Sequence, residues 1–154
     1  MSKSKKNIVD PSNIIDLYGA DTARWFMLSD SPPDRDLEWT NTGIVGAYKF
    51  INRIWDVANL VLKNNTIKEG AEDKVLINKL DETKKKVTEN IESFQYNKAV
   101  ANIYEITNYI QKTNQLNNTS RKVFVRALSD ISLILQPFVP HLSEELWKLM
   151  GNTG

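Results

Sequence analysis

The 154-residue chain contains no cysteine, which excludes a disulfide framework, a thiolate metal site and a cysteine nucleophile. Its single histidine, His141, cannot form a cluster of imidazole ligands, and no metal site is expected. No apolar run approaches the roughly 20 residues that a membrane helix needs, and the N-terminus has no apolar stretch of the kind a secretion signal carries. These absences describe a soluble, cytoplasmic protein without a membrane partner. Charge of one sign is also lacking: 20 basic residues face 19 acidic ones, for a net charge of +1. Global electrostatics therefore does not hold nucleic acid, and any RNA contact must use local patches. What the chain does have is 41% apolar residues, enough for one packed core of ordinary size.

Nothing alternates with period two over a useful length, so the fold is read as all-α. Asp10-Pro11 is a helix-start signal, with a capping carboxylate before a proline that needs no amide hydrogen. A short helix is expected over 11–18. Gly19 suits the left-handed residue that ends it, and a second helix follows over 20–28. Pro32-Pro33 makes 29–39 a connector, with Asp34, Arg35, Asp36 and Glu38 on the surface and Leu37 and Trp39 turned inward. From Thr40 or Thr42 a long helix carries the stripe Ile44, Tyr48, Ile51, Trp55, Ala58 and Leu62. The next, about 72–93, shows Ile77, Leu80, Val87, Ile91 and Phe94 and is interrupted by Lys84, whose stem is expected to lie on the core while its ammonium reaches water. Asn97 is expected to cap a third long helix and Ser120 a fourth, and Pro137 and Pro140 bracket a break before a closing helix over about 141–150. Short connections make sequential helices neighbours, giving an antiparallel up-down bundle behind a short helical adaptor and a flexible basic N-terminal loop. The division falls at 1–39 and 40–154.

Three strings carry a resemblance. Met1-Ser2-Lys3-Ser4 is similar to the last four residues of the Lys-Met-Ser-Lys-Ser signature of class I aminoacyl-tRNA synthetases, lacking its first Lys. Tyr18-Gly19-Ala20-Asp21-Thr22-Ala23-Arg24, followed by Ser31-Pro32-Pro33-Asp34-Arg35-Asp36-Leu37-Glu38-Trp39, resembles the bacterial leucyl branch of that family. Pro137-Phe138-Val139-Pro140-His141-Leu142-Ser143-Glu144-Glu145-Leu146-Trp147 resembles the closing segment of the anticodon-binding helical domain shared by the leucine, isoleucine, valine and methionine enzymes.

The resemblance implies the tRNA-binding helical region of an enzyme that activates leucine with ATP and Mg and transfers it to tRNA(Leu). It gives Lys3 a catalytic role, stabilising charge on the ATP phosphates in the transition state, and places Ser2 and Ser4 beside it in the ATP-binding loop. The other half of that active site is absent, as is any Gly-rich phosphate loop, so the isolated chain is expected to bind no cofactor and to be inactive. It starts inside one motif and stops soon after the closing helix, as an excised segment or one piece of a split gene would. Its partners would then be tRNA(Leu) and the remaining catalytic, editing and C-terminal domains, and a monomer is expected.

Lys49, Arg53, Lys112, Arg121, Lys122 and Arg126 are the candidate tRNA contacts, acting through phosphates and so conferring position without sequence specificity. His141 is read as bonding local backbone, and Trp25, Trp39, Trp55 and Trp147 as core anchors in place of base-stacking platforms. The rival readings are a stand-alone helical RNA-binding module and a protein-interaction bundle. RNA binding that weakens as salt rises separates the RNA readings from the last.

Overall fold

The computed structural model describes residues 9–63, 70–115 and 119–152, and in them the chain forms seven α-helices and no strand. The first is α1, Pro11–Tyr18, where Asp10 accepts a hydrogen bond from the Ser12 amide at 2.9 Å and Pro11 occupies the first turn. Gly19 ends α1 and starts α2, Ala20–Ser29, by itself. Its φ of 84° is positive as expected, but its ψ of 155° lies outside the left-handed helical region. That extended conformation is open essentially to glycine alone, and it turns the chain between two helices in one residue.

Helix α2 buries Trp25 and Phe26. The Trp25 ring stacks on Phe50 at 5.1 Å and meets Phe138 edge-on at 6.0 Å, while its Nε1 donates to the Tyr104 hydroxyl at 3.2 Å. The adaptor thereby shares one core with the bundle. In the connector, Leu37 and Trp39 pack against that core, Trp39 edge-on to Phe26 at 5.0 Å, and Asp34, Arg35, Asp36 and Glu38 are exposed.

Helix α3, Asn41–Leu62, opens with the Thr40 hydroxyl accepting from the Gly43 amide at 3.1 Å. Its buried face is Ile44, Ala47, Phe50, Ile54, Val57, Ala58 and Val61. The expected stripe is rotated from this one, and its two largest aromatics, Tyr48 and Trp55, are exposed. Both stripes satisfy a 3.6-residue period, and the helix turns the smaller, aliphatic-rich one inward.

The remaining helices are α4, Asp73–Glu92, α5, Tyr96–Gln115, α6, Arg121–Leu135, and α7, Pro140–Leu149. Ser120 caps α6 through the Val123 amide, as expected. Helix α5 starts one residue before Asn97, with the Gln95 carbonyl accepting from the Lys98 and Ala99 amides, so Asn97 lies within its first turn and is not its cap. In α4 the buried residues are Asp73, Leu76, Leu80 and Val87, and Phe94, just past the helix, is exposed.

Packing also departs from strict sequential neighbours. Helix α3 packs on α2, α5 and α6, and among the described residues its backbone stays apart from that of α4, which packs on α5 and α6. Helices α3 and α4 are therefore diagonal. The ten residues between Leu62 and Asp73 make this possible, since ten extended residues can reach roughly 30 Å.

Candidate nucleic-acid interface

Lys84, the charged interruption in the apolar pattern of α4, is an ion-pair centre. Its ammonium lies 2.9 Å from Asp81 and 3.1 Å from Asp130 of α6, and Arg126 of α6 reaches the same two carboxylates at 3.3 and 3.7 Å. The ammonium expected to reach water ends instead on a carboxylate of a partner helix. Pairing with Asp81 is the larger cause that pushes the Lys84 pKa up, with Asp130 adding to it, and the hydrogen bond from Lys84 holds Asp81 below the ordinary carboxylate range. Similarly, Glu82 is lowered and Lys86 raised by their mutual contact.

Two buried carboxylates close helix N-termini that belong to other parts of the chain. Asp73 of α4 accepts from the Ser120 amide at 2.8 Å and the Ser120 hydroxyl at 2.7 Å, tying the start of α4 to the start of α6. Asp21 of α2 accepts from the Leu142 amide at 2.8 Å and lies 2.9 Å from His141 Nδ1. His141 therefore bonds across the fold instead of to local backbone. At the outer end of α5, burial first, and then the Glu72 carboxylate 2.7 Å from its hydroxyl, push the Tyr109 pKa up.

The six candidate RNA contacts fall into distinct settings. Lys49 is exposed on α3 and makes no ion pair among the described residues. One turn on, Arg53 lies over the Phe50 ring at 5.0 Å, with its Nε buried and without a hydrogen-bond partner. Lys112, near the end of α5, and Arg121 and Lys122, at the start of α6, are exposed at one end of the α5–α6 pair. Two cations in the first turn of a helix oppose its dipole, and the Asp73 carboxylate on Ser120 stands at the same helix start. Arg126 is committed to Asp81 and Asp130. The structure thus gathers Lys112, Arg121 and Lys122, keeps Lys49 and Arg53 together on α3, and draws Arg126 into the ion-pair cluster. Ser2, Lys3 and Ser4 lie outside the described residues. Of the tryptophans, Trp25 is fully buried, Trp39 and Trp147 are half-buried, and Trp55 is exposed.

The α4–α5 turn and the Pro32–Arg35 turn enclose a cleft of about 420 Å³ lined by Arg35, Phe94, Gln95, Asn97 and Lys98 among others. Its local sequence signal is a large aromatic, Phe94, at a helix end, where a turn residue is usual. Among the described residues no three His, Cys, Asp or Glu side chains are grouped to hold a metal ion, and no helix is long and apolar enough to cross a membrane.

Residues 73–154 match the family described as the anticodon-binding domain of tRNA ligase, and residues 1–40 match the class I tRNA synthetases for I, L, M and V. Over its whole length the chain is 44% identical to a leucine–tRNA ligase of Cereibacter sphaeroides and 46% identical to one of Orientia tsutsugamushi. It spans only 17% and 18% of those proteins. A crystal structure of the Agrobacterium radiobacter K84 LeuRS-tRNA-LeuAMS ternary complex superposes over all of this chain and 21% of its own, with a TM-score of 0.86 and 27% identity. Methionyl-tRNA synthetase of Mycobacterium tuberculosis bound by methionyl-adenylate shares the fold, with a TM-score of 0.80 at 22% identity over 99% of this chain and 36% of its own.

Proposed function

The chain belongs to the anticodon-binding domain family of tRNA ligases, and from that membership we propose that it is the tRNA-docking helical body of a leucine-specific ligase. The observation that carries the leucine assignment is the 44–46% identity to leucine–tRNA ligases along the full chain, adaptor and bundle alike. The likeness to a leucyl enzyme held in complex with tRNA supports an RNA partner. The division at residues 39 and 40 is part of the same proposal, supported by the class I synthetase match that ends at residue 40.

Phosphate contact is the chemistry these helices offer. Lys49 on α3 and Lys112 and Lys122 at the end of the α5–α6 pair present ammonium groups that bind phosphate as point charges. Such contacts fix the position of an RNA without reading its bases. Activation of leucine with ATP and Mg belongs to the whole ligase. Ser2, Lys3 and Ser4, which the motif assigns to ATP, fit a polyphosphate by their chemistry, as one ammonium and two hydroxyl donors.

The test is a salt titration of the 154-residue chain with a leucine-accepting tRNA transcript. Affinity should fall linearly on a log–log plot, by roughly 0.9 per phosphate contacted. The same material should show no leucine-dependent exchange of pyrophosphate into ATP. Absence of tRNA binding at low salt defeats the docking assignment, and clear exchange activity defeats the non-catalytic one.

A further inference from the structure

We propose that the cleft between the α4–α5 turn and the Pro32–Arg35 turn receives one unpaired RNA nucleotide, with Phe94 as the stacking surface for its base and Arg35 and Lys98 as partners for its phosphate. This rests on the RNA-docking reading above and deepens it by naming the part of the RNA that is held.

Phe94 carries the argument. It is the non-glycine residue with positive φ among the described residues, at 56°. The Gln95 amide donates to the Asn90 carbonyl at 2.7 Å and the Phe94 amide to the Ile91 carbonyl at 3.0 Å, which is the paired bonding that ends a helix through a left-handed residue. Glycine adopts that conformation freely, whereas a side chain is strained there. Burial does not offset the strain, because Phe94 is 66% exposed and its ring contact is an edge-on approach to Tyr96 at 6.0 Å. The turn therefore presents an aromatic face to solvent at a cost in stability.

The surroundings fit a nucleotide. At about 420 Å³ the cleft has the size of a small-ligand site. Arg35, Lys98, Gln95 and Asn97 line it, and none of their side chains makes a hydrogen bond or ion pair among the described residues. A guanidinium, an ammonium and two amides thus stand free beside an aromatic ring. Unpaired bases are held by stacking on aromatic side chains and by hydrogen bonds to their edges, with cations on the backbone. Asp34 adds one carboxylate to the same wall. That limits the local positive charge to the scale of one phosphate, which disfavours a run of duplex phosphates.

The experiment uses the whole chain and three probes: a mixed-sequence single-stranded oligoribonucleotide of about ten nucleotides, a blunt RNA duplex of equal length, and a leucine-accepting tRNA transcript. F94G should weaken single-strand binding about tenfold while raising the thermal midpoint, because glycine relieves the turn. F94W should retain binding, and the R35Q/K98Q double variant should weaken it and flatten its salt dependence. A purely structural Phe94 would lower the thermal midpoint on replacement and leave RNA binding unchanged, which overturns the proposal. Equal binding of duplex and single strand overturns it too. If F94G binds all three probes as the parent does while K49Q/K122Q loses tRNA, the cleft assignment falls and the docking reading stands; a peptide-binding cleft would give this result. If the parent chain binds no RNA, both fall.

Discussion

Nδ1 of His141, at the start of α7, lies 2.9 Å from Oδ1 of Asp21, at the start of α2, across 120 residues of sequence. The other oxygen of Asp21 accepts from the Leu142 amide, and Arg24 donates to Oδ1 at 2.9 Å. Val139, the residue in the N-cap position of α7, has no side-chain capping bond. Asp21 supplies the missing acceptor from another helix, and so fastens the adaptor to the closing segment of the bundle.

D21A should destabilise the chain by about 2 kcal/mol in urea unfolding, because it strands the Leu142 amide as well as removing a charge partner. H141Q should cost less than about 1 kcal/mol, since the His141 side chain is 72% exposed and the amide bond to Asp21 survives. Equal losses in the two variants would show that the imidazole, and not the backbone cap, holds α7.

Two glycines in α3 predict opposite outcomes. A Cβ on Gly43 would lie 2.5 Å from Cε2 of Phe26 and 2.8 Å from the Thr40 cap oxygen, so G43A should destabilise by about 1–3 kcal/mol. A Cβ on Gly46 would meet nothing within 4 Å, so G46A should stabilise by up to about 1 kcal/mol through helix propensity. Thermal midpoints of both, measured in one buffer, check the pair.

The Lys84 cluster should give a defined pH dependence. Asp81 is lowered, so its contribution is present above the ordinary carboxylate range and is lost as pH falls through its depressed value. Lys84 is raised, so its contribution is present below the ordinary lysine range and is lost as pH rises through its elevated value. K84M should remove the alkaline limb, weaken the acid one, which Arg126 still supports, and lower stability at neutral pH by about 1 kcal/mol, the lysine being one-third exposed. Urea midpoints from acid to alkaline pH follow it.

Arg126 and Lys122 should separate stability from binding. R126Q should lower the unfolding midpoint and leave tRNA affinity nearly unchanged, because its guanidinium is engaged by Asp81 and Asp130. K122Q should leave the midpoint unchanged or raise it slightly, since the lysine opposes the α6 dipole, and reduce the salt slope of tRNA binding by about one. The reverse pattern would move the RNA-contacting face onto the α4–α6 surface.

The sequence by itself determined where α1, α3 and α6 start. The Asp10, Thr40 and Ser120 caps bond to amides two or three residues away, and such local chemistry is legible in a linear string. It also identified Trp25 as a core anchor, Leu37 and Trp39 as inward residues of the connector, and, through three short motifs, the family. Only the tertiary structure decided which of two equally periodic stripes on α3 faces the core, because a period fixes the spacing of a face and not its direction. It likewise decided that α3 and α4 lie diagonally, and that Lys84 meets Asp130, Asp73 meets Ser120 and Asp21 meets His141, over 46, 47 and 120 residues. A polar side chain carries no sequence mark of its distant partner. The pairing exists only once packing has brought the two helices together and removed the water that would otherwise satisfy them.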